Sequence, residues 1–167
     1  FCGVGGSDAA DGLTEGTKWE TLNYAQVTAP DTGTIYATDG EQDGGGAHHS
    51  IKSGSNMIAE NSRGVTLTNG DFARLMFVGS GSTGSPTISG FELDGAGFSD
   101  YLVQVSSSAG ADGLTLQDIG FIDTPDIADV VLSKTEGTWS VLACDILHDL
   151  DRPVAVSYTH LRAHETK

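Results

Sequence analysis

The feature that most constrains this chain is a pattern that recurs four times after residue 64. The stretches are VTLTNGDF from Val65, PTISGFELDG from Pro86, LTLQDIGFID from Leu114 and WSVLACDILHD from Trp139, with starts 21, 28 and 25 residues apart. Each places a hydroxyl residue second, an aliphatic residue third and an Asp or Gly near its end. A further apolar run follows each one: LMFV from Leu75, YLVQV from Tyr101, DVVL from Asp129 and PVAV from Pro153. Short β-branched and apolar runs bounded by turn formers read as strands. The Gly and Ser stretches between them, such as GSGSTGS and SSSAGA, read as turns of variable length.

A two-strand unit of this size cannot bury its apolar face alone, but successive units stacked strand on strand can. The pattern therefore predicts an all-β solenoid of parallel coils over residues 47–155, with Leu67, Ile88, Leu116 and Val141 in one inward column. An antiparallel β-sandwich also shows many short strands at even spacing. It does not require the same unit to return in the same order. Residues 1–46 read as a capping segment. Gly and Asp punctuate a turn from Asp8 to Gly12, Trp19, Leu22 and Ala25 suit one short helix, and Thr34 to Ala37 suit a strand.

Charge narrows the partners. Lys and Arg number 8 against 23 Asp and Glu, a formal net charge of −15. Nucleic acid is excluded as a partner because phosphate binding needs clustered Lys and Arg. The same field repels anionic polysaccharides unless a cation bridges them. No stretch is long and apolar enough for a membrane span. The two cysteines, Cys2 and Cys144, are too few for a disulfide framework.

The opening GVGGSDAADGLTEGTKWETLNYA followed by GTIYATDG resembles the N-terminal segment of secreted right-handed parallel β-helix proteins, the pectate-lyase-like superfamily. LTLQDIGFID and WSVLACDILHD resemble its repeating coil. The resemblance implies an extracellular or cell-surface protein with polysaccharide as its expected partner. It includes lyases, hydrolases, surface proteins and phage tail fibres, so it specifies fold better than activity.

Chemistry is sought at the coil ends. Alignment of the later coils brings Asp123 near His148 and Asp149, with Asp126 on a nearby turn and Asp94 at the equivalent end one coil earlier. Coils about 4.8 Å apart would let Asp94, Asp123, Asp126 and Asp149 share a Ca²⁺ through oxygen ligands. In a lyase acting on uronic acids the cation would neutralise the substrate carboxylate, and Lys134 is the base candidate for proton removal. Against this, Asp at a solenoid corner is ordinarily a turn former. Tyr101 and Trp139 are candidates for stacking on sugar rings. His48 and His49 read as solvated loop residues.

The expected function is an incomplete β-helix module of a carbohydrate-associated protein, not catalytic by itself. The alternatives are the N-terminal part of a Ca²⁺-dependent polysaccharide lyase and a phage-tail or adhesin-type structural β-helix. Residues 156–166, VSYTHLRAHET, resemble the translation of a sequencing-library adaptor, so 156–167 are set aside as an artefactual tail.

Overall fold

The structure is a computed structural model that describes residues 1–30, 32–51, 55–68, 74–78, 83–96, 101–105, 110–111, 113–122, 129–131, 138–142 and 145–146. A short helix, α1 (Leu22–Thr28), precedes the strands. The chain then repeats a circuit. It runs through β1 (Thr34–Ala37), β2 (Gly40–Asp43) and β3 (His49–Ile51), then β4 (Asn56–Ala59), β5 (Val65–Thr68), β6 (Arg74–Val78) and the two-residue β7 (Thr83–Gly84). The next passes contain β8 (Thr87–Ser89), β9 (Phe91–Asp94), β10 (Tyr101–Val105) and β11 (Gly110–Ala111), then β12 (Gly113–Gln117), β13 (Gly120–Ile122) and β14 (Asp129–Val131). They end with β15 (Thr138–Leu142) and β16 (Asp145–Ile146).

Consecutive strands join different sheets. Sheet I has the order β1-β4-β8-β12-β15, sheet II β2-β5-β9-β13-β16 and sheet III β3-β6-β10-β14, while β7 pairs with β11. All pairings among the described strands are parallel. Leu116 and Val141 are parallel in-register partners, as the repeat predicts and a sandwich does not.

The predicted inward column needs one correction. Ile88, Leu116 and Val141 share a column, but it continues to Met57 and Ile35 in sheet I. Leu67 belongs to sheet II, where its column is Gln42, Leu67, Leu93, Phe121 and Ile146. The cause is that a β-strand alternates inward and outward with the same period in either sheet, so VTLT resembles LTLQ locally while pairing elsewhere. Ile35, Met57, Leu67, Ile88, Leu93, Leu114, Leu116 and Phe121 are all buried in one continuous core. Each side chain of this size contributes about 1.5–3 kcal/mol by leaving water.

The N-terminal segment packs against β1 and β3, the edge strands of sheets I and III. Cys2 bridges in parallel to Ala37 and Trp19, and α1 packs against β1 and β3. The helix starts where Thr21 accepts the Tyr24 N–H at 3.1 Å, satisfying a donor that has no partner within the helix. The Asp8 carboxylate holds that start by accepting from the N–H groups of Glu20 and Thr21 and from the Thr21 hydroxyl. Gln42 completes the docking: its buried side-chain oxygen accepts the Leu22 N–H at 2.9 Å. Trp19 lies across Gly12 and donates its indole N–H to the Ala10 carbonyl at 2.9 Å.

The turns from sheet I to sheet II set the relation between the two outer faces. At the four described crossings one residue has positive φ: Gly40 at the start of β2, Arg63, Gly90 and Asp118. Backbone bonds link one turn to the next, from Gly40 N–H to Gly64, from Arg63 N–H to Gly90 and from Gly90 N–H to Gln117.

Candidate functional site

Strand alternation gives sheet I two outward rows. The first contains Thr34, Asn56, Thr87 and Thr115, and the second Tyr36, Ile58, Ser89 and Gln117. Register joins Thr34 to Asn56 and Thr87 to Thr115, and the Asn56 side-chain oxygen bridges the two pairs by accepting the Thr87 N–H at 2.9 Å. The second row is continuous by pairing. None of these eight side chains is charged.

Sheet II presents a different outer face. Glu41, Thr66 and Glu92 form one row, with Asp43, Thr68 and Asp94 at the strand ends. Its hydroxyls are engaged. Thr68 donates to Glu41 at 2.8 Å, and Thr66 makes a long contact of 3.5 Å with Glu92. By contrast, among the described residues the hydroxyls of Thr34, Thr87, Ser89 and Thr115 make no side-chain hydrogen bond.

The corner between the faces is tied by charge. Ser62 donates to Asp118 at 2.5 Å, Arg63 Nε lies 3.5 Å from the same carboxylate, and Asn61 donates to Asp39 at 2.8 Å. Gly120 leaves room for the Arg63 stem, which lies where a Cβ would make its nearest contact at 3.4 Å.

The predicted site residues fall in three places. Asp94 ends β9 half-buried and accepts the Ala96 N–H at 2.8 Å, as Asp43 does from Gly45 at 2.7 Å at the end of β2. Both carboxylates thus fold the chain back at the same point of two circuits, with β5, which ends at Thr68, lying between them. Tyr101 begins β10 in sheet III, paired with Arg74 and Asp129. Trp139 lies in β15 of sheet I, paired with the buried Leu114. The two aromatics therefore occupy different sheets. Asp123, Asp126, Asp149 and Lys134 lie outside the described residues, as do Cys144 and the tail. Among the described residues no group of three or more His, Cys, Asp or Glu side chains is placed to hold a metal ion.

The reading of His49 as solvated is overturned. It points inward from β3, is only 2 % exposed, and has its Nε2 3.3 Å from the Thr68 carbonyl. Burial lowers its pKa, and the Thr68 carbonyl and Asp43 oppose the shift only in part. His48 is half-buried, its ring edge-on to Phe77 at 5.1 Å. Cys2 is a free, buried thiol pushed up to about 12 by desolvation, so it stays protonated and is a packing group, not a nucleophile.

The free hydroxyl row of sheet I is the feature that residue-by-residue reading missed. Its signal was present, since Thr87 and Thr115 are the hydroxyl residues in second position of their repeats. The chain matches no protein-family profile, no curated protein and no solved structure.

Proposed function

We propose that the chain is a right-handed parallel β-helix module of an extracellular or cell-surface protein that binds polysaccharide and has no catalytic centre of its own. The repeated passage through sheets I, II and III supports the β-helix, and the strong chirality preference of parallel crossovers supports the right hand. The observation that carries the binding role is the row of unengaged outward hydroxyls on sheet I. A hydroxyl both donates and accepts, so it complements the hydroxyls of a sugar without committing to one orientation. Asp94 acts as a turn former in this reading, in the same way as Asp43.

Electrophoresis of the purified chain through gels that each hold one polysaccharide tests the proposal. Retardation by at least one neutral, acidic or basic polymer is expected. Unchanged mobility across the whole panel would remove the binding role.

A further inference from the structure

We propose that the ligand is an uncharged polysaccharide, and that it lies across the strands of sheet I along the stacking direction with its sugar rings against Tyr36 and Ile58. This rests on the carbohydrate-binding reading and adds to it the face, the direction and the charge class of the ligand. Three independent observations point the same way.

The first is the charge difference between neighbouring faces. In a chain of formal charge −15, both outward rows of sheet I are free of charge, whereas sheet II presents Glu41, Asp43, Glu92 and Asp94. The surrounding negative field opposes approach of a polyuronate. A polycation would be drawn to sheet II instead. Only an uncharged polymer is indifferent to that field and free to select hydroxyl and amide groups.

The second is direction. Parallel strands lie about 4.8 Å apart, so a linear polymer that crosses them meets Thr34, Asn56, Thr87 and Thr115 at a constant step. A polymer running along one strand would meet at most two such groups before the turn, Thr87 and Ser89 on β8. Repetition of one group across strands therefore selects the stacking direction.

The third is the second row. Tyr36 is 43 % exposed, and its ring is backed by Phe1 with centroids 5.5 Å apart and planes 29° apart. It pairs with Ile58 on the next strand, which places an aromatic and an aliphatic surface beside the hydroxyl row. A sugar ring has an apolar face and a polar rim. Seated here, it covers Tyr36 and Ile58 with its face while its rim reaches the threonines.

Affinity electrophoresis with a soluble neutral β-glucan, a neutral mannan, polygalacturonate and chitosan tests the inference on four proteins: the unaltered chain, Tyr36→Ala, Thr87→Glu/Thr115→Glu and Glu92→Gln. Circular dichroism verifies that each is folded. The unaltered chain is expected to be retarded by a neutral polymer and not by polygalacturonate. Tyr36→Ala should weaken that retardation about tenfold, which is the loss of one good stacking contact. Thr87→Glu/Thr115→Glu should abolish it and Glu92→Gln should leave it unchanged. If the double variant fails to fold, Tyr36→Ala alone decides the face. Neutral-polymer binding that survives Tyr36→Ala, or is lost in Glu92→Gln, would overturn the assignment to sheet I. Binding of polygalacturonate or chitosan alone would overturn the charge class, and both outcomes leave the carbohydrate-binding reading intact. Binding of no polymer would remove the inference and that reading together.

Discussion

Replacing Gly12 by Ala should destabilise the chain far more than replacing Gly45 by Ala, although both glycines have similar backbone conformations. Gly12 has φ of 68° and Gly45 of 61°, so either alanine is placed in the left-handed region at about 1–2 kcal/mol. Their surroundings differ. A Cβ on Gly45 meets nothing within 4 Å, whereas one on Gly12 would stand 2.3 Å from Trp19 Cε2 and 2.4 Å from Cδ2. The indole cannot simply swing away. Its N–H is bonded to Ala10, its edge meets Tyr24 at 6.2 Å, and its backbone is bridged to Cys2. Overpacking of this kind adds about 1–3 kcal/mol, and a broken indole bond adds about 1 kcal/mol more. Gly12→Ala should thus cost roughly 3–6 kcal/mol in all, against about 1–2 kcal/mol for Gly45→Ala. At about 2–4 °C per kcal/mol for a chain of this length, the midpoint should fall by about 10 °C for Gly12→Ala and by a few degrees for Gly45→Ala. Thermal unfolding followed by far-ultraviolet circular dichroism reads both values. Equal shifts in the two variants would refute the argument, because the contact with Trp19 would then add nothing to the backbone cost.

Three other outcomes follow from the same structure. His49 has a folded pKa below its ordinary value of 6.5, so its contribution to stability is complete above pH 6.5 and is lost as the pH falls from there through the folded pKa. The slope is at most about 1.4 kcal/mol per pH unit, and urea unfolding at stepped pH should show it flattened in His49→Gln. Leu93→Ala removes a fully buried side chain from the sheet II column and should cost about 2–5 kcal/mol, whereas the outward Thr66→Ala should change stability by about 0.5 kcal/mol or less, both read by denaturant titration. On the proposed non-catalytic reading, the chain should release no unsaturated sugar from pectate or alginate with Ca²⁺. Ultraviolet absorbance that grows with Ca²⁺ and vanishes in Lys134→Ala would restore the lyase alternative.

The places where sequence reading worked and failed have a common physical basis. PTISGFELDG, LTLQDIGFID and WSVLACDILHD each span one strand of sheet I and the following strand of sheet II, so each was read as a whole unit. Among the described residues, VTLTNGDF contains only β5. Its sheet I partner, NMIA in β4, is separated from it by residues 60–64, which include Arg63 at φ of 55°, whereas Gly90 alone separates β8 from β9. Alternation shows which side chains face inward, but the identity of the sheet depends on turn length. A turn that varies from one residue to five hides the repeat at its longest instance. His49 failed for a related reason: GGGAHHS has the composition of a loop, and it is the pairing of β3 with β6 that sets its second histidine beside the buried Met76.

The same distinction governs the candidate site. That a corner aspartate turns the chain follows from local chemistry, because a side-chain oxygen two residues before a backbone N–H needs no distant partner, and Asp43 and Asp94 both satisfy it in this way. Whether an outward hydroxyl is free depends on the neighbouring circuit. Thr68 is engaged because β5 is paired with β2, and that pairing sets Glu41 one strand away. Thr87 and Thr115 stand beside each other and meet no carboxylate. Identical residue types in identical strand patterns therefore present two different surfaces, one satisfied by its own charges and one open to hydrogen bonds from a ligand. The difference arises from which strands lie side by side, and it is on the sheet whose neighbours carry no charge that binding should be found.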